Sequence, residues 1–204
     1  MEKFTGYFCF LLEELTLSER AALSNYQDVY PWNDQKQDWS CEIPTNWKQK
    51  SYCYVINSCC RSEEFYNSMT KKEQKLIDYN IQNLDSAIEK GRVFGNLFIY
   101  RGVKDVKWLP ENHDVHTEYL EKAYGSFSLN LEIALQYTNE NNPIIFQLEL
   151  SPTMKALRID EGEFEILRPR KTTYTIVNIS KHLIKSSENR LIEILFYKIK
   201  EVKR

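Results

Sequence analysis

The sequence predicts a single α+β domain, with a mainly helical part over residues 1–92 and a mainly β part over residues 93–204. Three observations support this prediction. Apolar residues recur at helical spacing in the first part, whereas short segments of the second part alternate apolar and polar residues. A length of 204 residues is enough for one sizeable core. Helices that precede the strands, rather than alternate with them, favour an α+β fold with a mostly antiparallel sheet.

Three helices are predicted in the first part. SERAALSNYQ is amphipathic and has a candidate cap at Ser18. A second helix covers about residues 50–61, and a third, over residues 71–91, ends at Gly91. The N-terminal GYFCFLL is interpreted as a first strand or the start of a buried helix, and residues 28–48, rich in Trp, Asp and Pro, as a loop.

Seven strands are predicted in the second part, and a polar connection over residues 104–123 follows the first of them. A short helix is expected in LEIALQY, after the second strand. The predicted strands cover residues 97–103, 124–128, 144–150, 155–159, 163–168, 172–177 and 191–199.

Composition excludes several classes of protein. A net charge of −2, from 27 basic and 29 acidic residues, gives no global field for nucleic acid or an anionic membrane. No apolar run is long enough to span a bilayer, and Glu13 and Glu14 follow GYFCFLL where a signal peptide would have a cleavage site. Five cysteines without a secretory signal indicate reduced thiols and a cytoplasmic location. With three histidines and no C-x-x-C pair, no metal site is expected.

Polar residues on three of the predicted strands are candidates for a functional site. Arg101 lies near the end of the first strand, before Gly102, and Ser126 and Ser128 share one face of the second. Taken alone, Arg101 is interpreted as a surface arginine beside a strand.

Glu163 and Glu165 share one face of a later strand, roughly 6.6 Å apart, with Phe164 behind them. Two carboxylates this close perturb each other's protonation, so the pair indicates chemistry when it lies in a cleft. Taken alone, the pair is more often an ordinary half-exposed strand. The ordered set of arginine, serine and glutamate strands favours a site.

That ordered set resembles the Arg–Ser–Glu signature of the ADP-ribosyltransferases, in particular the bacterial exoenzymes and the arginine-specific mono-ADP-ribosyltransferases. Residues 100–102, 128–135 and 166–170 are similar to the segments that surround the family's motifs. Residues 15–26 and 54–61 resemble the family's first helices. The resemblance therefore covers most of the chain and implies an ADP-ribosyltransferase-like domain.

The resemblance implies NAD as co-substrate. Arg101 would bind the pyrophosphate through its planar guanidinium, and Gly102 would let the nicotinamide end approach the backbone. Arg61 matches a second phosphate-facing arginine of the family more loosely, and the alternative is a helix-end arginine that stabilises the carbonyl terminus. Tyr137 is the candidate for stacking on nicotinamide, and the alternative is a structural tyrosine on the apolar face of its helix.

The resemblance also implies the catalytic roles. Glu165 would stabilise the positive charge that develops on the ribose as nicotinamide departs, and Ser126 would orient Glu165. Glu163 would bind and partly activate the acceptor. Glutamate at this position accompanies arginine modification in the family, so a protein arginine is the implied acceptor.

Two features depart from the family's pattern. The serine strand reads Ser126-Phe127-Ser128 where the family usually has Ser-Thr-Ser, and Phe127 is expected to face the core. Only residues 160–162, none of them aromatic, precede the glutamate strand, so target selection must come from elsewhere.

Three functions remain open. The first is transfer of ADP-ribose to a protein arginine, with a toxin, effector or defence role, an antitoxin or inhibitor as possible partner, and no membrane partner. The second is the same chemistry on a nucleic acid, and the third is an inactive binding module of this fold. Retention of all three signature positions argues against the third. The lysines that would serve the second are Lys48, Lys50, Lys71, Lys72 and Lys75.

Overall fold

The computed structural model describes residues 8–9, 14–27, 51–159, 164–185 and 191–203. The described helices are α1 (Leu17–Gln27), α2 (Tyr52–Arg61), α3 (Glu63–Asn67), α4 (Lys71–Lys90) and α5 (Leu131–Leu135). The described strands are β1 (Phe8–Cys9), β2 (Arg92–Val93), β3 (Leu97–Val103), β4 (Glu118–Glu121), β5 (Gly125–Ser128), β6 (Ile144–Leu150), β7 (Leu157–Arg158), β8 (Glu165–Arg168), β9 (Thr172–Lys185) and β10 (Leu191–Glu201). The predicted loop over residues 28–48 lies outside the described residues. Among the described helices, none combines the length and apolar composition that crossing a bilayer requires.

Hydrogen bonds at the N-termini fix where the main helices begin. The Thr16 backbone N–H donates to the Glu19 carboxylate at 2.7 Å, and the Glu19 N–H donates to the Thr16 hydroxyl at 3.2 Å. The cap of α1 is therefore Thr16, and the predicted cap, Ser18, lies inside the helix. Thr70 and Glu73 form the same reciprocal capping box at α4.

Helix α4 buries the apolar face that its spacing predicts. Ile77, Leu84 and Ile88 are at most 1% exposed. The helix ends directly before Gly91, as predicted, but Gly91 has φ −60° and is not a left-handed cap. A side chain there would place its Cβ 2.0 Å from the carbonyl oxygen of Ala156, so packing requires the glycine.

The main sheet has eight strands in the order β4-β9-β10-β6-β3-β5-β8-β7. β6 and β10 are parallel, and every other neighbouring pair of this sheet is antiparallel. β1 and β2 form a separate antiparallel pair, which agrees with the strand interpretation of the N-terminal segment. The predicted α+β class, with N-terminal helices and a mostly antiparallel sheet, is confirmed.

Several strands differ from the prediction. β4 lies inside the predicted polar connection over residues 104–123, where its EYLE sequence pairs with β9. β9 continues to Lys185, since β10 pairs with it over that length. The strand predicted over residues 155–159 is reduced to β7. β8 begins at Glu165, because Phe164 has φ 52° and leaves the extended region.

The sheet is curled, as the short connection from β4 to β5 shows. Only residues 122–124 connect these strands. The Cα atoms of Glu121 and Gly125 are therefore at most about 14 Å apart. In a flat sheet, the five strand spacings between β4 and β5 would separate them by about 24 Å. Curling therefore brings the edge strand β4 close to β3 and β5.

Two large apolar cores hold the fold together. The first packs α1, α2 and α4 against Tyr124, Leu157 and Leu167, from the end of the sheet that contains β5, β7 and β8. The second consists mostly of residues from the strands, among them Phe127 and Phe146. The helices are therefore attached to the sheet at the strands that carry the predicted serine and glutamate motifs.

Candidate active site

A cavity of about 900 Å³ lies between α1 and α2 on one side and β3, β5 and β8 on the other, and α5 contributes to its wall. This volume is typical of sites for small molecules and cofactors. The candidate site residues that the structure describes come from positions far apart in the sequence. All six line this cavity: Arg61, Arg101, Gly102, Ser126, Tyr137 and Glu165.

Ser126 and Glu165 meet across the β5–β8 pair. Ser128 lies opposite Glu165 and Ser126 opposite Leu167, so Ser126 and Glu165 are diagonal neighbours on one face. The Ser126 hydroxyl donates a hydrogen bond to Glu165 Oε1, which restricts the orientation of the carboxylate. Phe127, between the two serines, is 3% exposed in the second core, as predicted for the opposite face.

Glu163 lies outside the described residues. The prediction that it shares a face with Glu165 therefore stays a prediction. Phe164, the described residue before β8, has φ 52°. The Phe164 ring packs against the second core, with the Arg158 guanidinium 5.6 Å from its centroid.

Arg101 and Arg61 share one buried carboxylate, that of Glu121 at the end of β4. Arg101 Nη1 donates to Glu121 Oε2 at 2.7 Å, and Arg61 Nη2 donates to Glu121 Oε1 at 3.4 Å. Burial lowers the pKa of Arg101, but the Glu121 carboxylate outweighs burial and the pKa is raised, so Arg101 stays charged. Arg61 ends α2, as the helix-end interpretation requires, but it also pairs with Glu121 and lines the cavity.

Gly102 is needed because α5 crosses β3 closely. A Cβ at this position would lie 1.9 Å from the carbonyl oxygen of Ala134 in α5. The packing of α5 is therefore sufficient to explain why residue 102 is a glycine. The close approach of a ligand, which the family resemblance implies, is not needed to explain it. Tyr137 follows α5 and is 51% exposed at the cavity. Tyr137 therefore does not lie on the apolar face of α5, as the alternative interpretation requires, and its position is compatible with stacking on a ligand.

The helical side of the cavity contains polar side chains of α1 and α2. Asn57 Nδ2 donates to the Tyr26 hydroxyl at 2.8 Å, and Asn57 Oδ1 accepts the Tyr124 backbone N–H at 3.2 Å. Burial raises the pKa of Tyr26. Burial also raises the pKa of Cys53, and the Glu165 carboxylate raises it further. Cys53 therefore stays a thiol and is a weak nucleophile.

Cysteines and metal-binding side chains add no second site in the part of the chain that the structure describes. Cys53, Cys59 and Cys60 are free thiols. Within the same residues, no three side chains of the metal-binding types come together.

Glu121 is the main site residue that the sequence motifs do not reveal. It lies in the predicted polar connection, where the adjacent Tyr119 and Leu120 leave β4 without an alternating pattern. The partners of Glu121 give no sequence signal either, because both arginines reach Glu121 only through the curl of the sheet.

Comparison with known proteins places this geometry in a family. A family model described as ADP-ribosyltransferase exoenzyme matches residues 45–198, which is more than half of the chain. None of the curated proteins matches the chain.

Solved structures with the same fold include three ADP-ribosylating enzymes. Plx2a, an ADP-ribosyltransferase toxin from Paenibacillus larvae, is 20% identical with a TM-score of 0.62, over 94% of this chain and 89% of that chain. An ADP-ribosyltransferase from Clostridium botulinum is 17% identical with a TM-score of 0.58, over 93% of this chain and 88% of that chain. BECa, an ADP-ribosylating toxin of a binary enterotoxin of C. perfringens solved with NADH, is 18% identical with a TM-score of 0.61. The match to BECa covers 94% of this chain but only 45% of that chain.

At these identities the structural likeness establishes the fold, and the family match establishes the class of enzyme. The chain belongs to the ADP-ribosyltransferase exoenzyme family and is an NAD-dependent ADP-ribosyltransferase, with NAD as its co-substrate.

Proposed function

We propose that residues 1–204 form one catalytic domain that transfers a single ADP-ribose unit from NAD to an arginine of a target protein and releases nicotinamide. The observation that carries the proposal is the hydrogen bond from Ser126 to Glu165 inside a cavity that also contains Arg61 and Arg101. A fixed carboxylate in the same cavity as two cations suits a co-substrate that has two phosphates and a ribose at which charge develops.

The two arginines are suited to the pyrophosphate of NAD. A guanidinium binds phosphate oxygens through two parallel hydrogen bonds and keeps its charge at any physiological pH. Among the described residues, Arg101 makes one side-chain hydrogen bond, through Nη1 to Glu121, out of five N–H donors in a guanidinium. In this proposal, the exposed Tyr137 ring stacks on nicotinamide, and Gly102 forms the nearby wall.

Glu165 stabilises the charge that the reaction creates. The bond between ribose C1′ and the nicotinamide nitrogen breaks, and its electron pair leaves with nicotinamide, which becomes neutral. Positive charge then develops on the ribose, and a carboxylate beside it stabilises the transition state. Such a group acts best when its orientation is fixed beforehand, which is the role of Ser126.

Glu163 binds the acceptor in this proposal. A guanidinium nitrogen of the target forms the new bond to ribose C1′ and gives its proton to the Glu163 carboxylate, which also orients the guanidinium. The support for arginine is the glutamate at position 163 of the sequence. Support for a protein acceptor comes from the exoenzyme family, which acts on protein targets.

A nucleic acid acceptor has less support. Lys48 and Lys50 lie outside the described residues. Lys71, Lys72 and Lys75 lie at the start of α4, and none of these three lines the cavity. The retained Arg–Ser–Glu positions also argue against an inactive binding module.

The experiment that tests the proposal incubates the protein with labelled NAD and a mixed cell lysate. We expect label that resists nuclease and is lost with protease, and mass spectrometry should locate it on arginine. Glu165→Gln should remove the label, whereas the control Glu149→Gln, an exposed glutamate on β6, should retain it. Label removed by nuclease would support the nucleic acid acceptor, and equal labelling by Glu165→Gln would contradict the mechanism.

We extend the proposal to a toxin, effector or defence role in the cytoplasm of the producing cell or of a target cell, with an antitoxin or inhibitor as a possible partner. The names of similar structures, toxins of P. larvae and C. perfringens, support this role. Expression in bacteria should therefore slow growth, and Glu165→Ala should relieve the effect. Harm that persists in Glu165→Ala would contradict a role through catalysis.

A further inference from the structure

Glu121 connects three parts of the structure through one carboxylate. It is the last residue of β4 and is 8% exposed. Its Oε2 accepts the 2.7 Å hydrogen bond from Arg101 on β3, and its Oε1 accepts the 3.4 Å hydrogen bond from Arg61 at the end of α2. Oε1 also accepts a hydrogen bond from the Ala123 backbone N–H at 3.3 Å, on the segment that leads into β5. The two arginines are thereby tied to the strand that carries the site serine.

The position of Glu121 is fixed at both ends of its side chain. Its backbone pairs with Thr172 of β9. Two residues earlier, the Tyr119 ring packs against Trp108 and Tyr174, with centroid distances of 5.2 and 5.6 Å. The carboxylate end is held by the Ala123 N–H and by the arginines. Glu121 is therefore oriented without any ligand.

The cluster of Glu121, Arg61 and Arg101 has a net positive charge, which favours binding of an anion. Two guanidinium groups repel each other strongly where water is scarce, so holding them close requires a compensating charge. Glu121 supplies one negative charge to Arg61 and Arg101, which leaves a net single positive charge at the cavity wall. The Arg101 side chain is 23% exposed and the Arg61 side chain 47%, so both remain accessible while Glu121 is covered.

We propose that Glu121 is a positioning residue for NAD, which holds Arg61 and Arg101 in the arrangement that the pyrophosphate requires before NAD binds. The inference rests on the proposed function, in which both arginines bind that pyrophosphate. Glu121 itself is not part of the cavity lining, so it acts through the arginines. Fixing them in advance removes the cost of ordering two long side chains at the moment of binding.

Charge and position predict opposite results for Glu121→Gln. If charge alone mattered, removing the negative charge of Glu121 would tighten the binding of an anion nearby. If position matters, the substitution releases Arg61 and Arg101 and weakens the binding of NAD. We expect the second result, with the Kd for NAD raised about 10-fold, the scale of one lost hydrogen bond to a charged group. The kcat for NAD hydrolysis at saturating NAD should stay within about 3-fold, because the arginines bind ground state and transition state alike.

The test is a calorimetric titration of NAD, and separately of inorganic pyrophosphate, into wild type, Glu121→Gln, Glu121→Asp and the control Glu118→Gln. Glu118 is exposed on the same strand, so its variant should bind like wild type. Glu121→Asp keeps the charge but shortens the side chain, and it should weaken both ligands less than Glu121→Gln does. If Glu121→Gln does not fold, as thermal unfolding would reveal, the comparison of Glu121→Asp with wild type decides.

Each outcome of these titrations decides a separate question. Weakened binding of both ligands in the Glu121 variants, with unchanged kcat, supports the positioning role. Unchanged or tighter binding of both ligands in folded variants overturns the positioning role. Weakened NAD binding with unchanged pyrophosphate binding overturns it as well. Both outcomes leave the proposed function intact. Wild-type protein that binds no NAD would overturn the proposed function and this inference with it.

Discussion

Glu19 and Glu121 are both buried glutamates paired with cations, but their partners lie in different surroundings. Glu19, in α1, is 2% exposed and accepts hydrogen bonds of 2.6–2.7 Å from Thr16, Ser86 and Lys90. Lys90 also donates to the Glu14 carbonyl oxygen at 3.0 Å. All these partners lie on or beside the packed helices. The Glu19 cluster is therefore complete without a ligand.

The Glu121 cluster has the same chemistry but faces the cavity. Its partners, Arg61 and Arg101, line a space of about 900 Å³ together with Ser126 and Glu165. The hydrogen-bond partners of Glu19 belong to the packed helices and the segments beside them, whereas the cations of the Glu121 cluster border a cavity. Substitutions near Glu121 and Glu165 should therefore change function more than stability, and substitutions near Glu19 should do the reverse.

The largest effect is expected at Glu165. Glu165→Ala should reduce transfer of ADP-ribose by roughly 10³-fold, because the carboxylate acts mainly on the transition state. NAD affinity should stay within a few-fold, and the melting temperature should change little. Single-turnover transfer assays, calorimetry and thermal unfolding measure the three quantities. Near-normal turnover would end the assignment of Glu165 as the catalytic carboxylate.

Glu163→Gln should separate the two carboxylates of the glutamate motif. We expect transfer to the protein acceptor to be lost while appreciable NAD hydrolysis remains, because a water molecule that attacks the ribose does not require a carboxylate that binds a guanidinium. Assays of labelled protein and of released nicotinamide, on the same preparation, measure both activities. Parallel loss of both would assign Glu163 to NAD binding or to the fold, and would remove the reason for an arginine acceptor.

Arg101→Lys should raise the Kd for NAD by roughly 10-fold or more, because lysine keeps the charge but lacks the planar fork that binds phosphate oxygens in pairs. The matched control is Lys90→Arg in the Glu19 cluster, which exchanges the same two residue types away from the cavity. The control should leave the Kd unchanged. Equal affinities in both variants would refute the phosphate role of Arg101 and the functional difference between the two clusters.

Glu19→Gln should change stability and leave catalysis intact. Glu19→Gln removes the charge whose hydrogen bonds lower the pKa of Glu19 from 4.5 to about 2, so the free energy of unfolding should fall by about 3 kcal/mol. The kcat and KM of the folded protein should match wild type. Urea unfolding together with activity assays measures both, and lost activity in fully folded Glu19→Gln would contradict the comparison.

The contribution of Glu19 should also be visible in the pH dependence of the free energy of unfolding. Burial raises the pKa of Glu19, but hydrogen bonds from Lys90, Ser86 and Thr16 outweigh it and lower the pKa from 4.5 to about 2. The contribution of Glu19 is therefore complete above about pH 4.5 and is lost as the pH falls towards 2, with a total of about 3 kcal/mol. The stability difference between wild type and Glu19→Gln should shrink between pH 6 and pH 3. A constant difference would contradict the lowered pKa.

Local patterns are enough to predict most elements of the fold. The helix at residues 71–90 and the strand at 144–150 have strong periodicity, and the strand at 97–103 is rich in β-prone apolar residues. All three agree with the structure to within one residue. β4 escapes prediction because four residues give a weak pattern, and its partner β9 lies more than fifty residues later. The predicted cap of α1 is wrong because Thr16 and Ser18 are both suitable cap residues, and only the hydrogen bonds with Glu19 choose between them.

The sequence by itself determined the order of the arginine, serine and glutamate strands, and with it the family, because those residues are read from short segments. The tertiary structure alone decided that Arg61 joins Arg101 at one wall, that Glu121 holds both, and that Gly102 serves the packing of α5. The physical reason is the short link from β4 to β5, which curls the sheet. Contacts made by that curl join residues that no periodicity relates, so no local pattern can predict them.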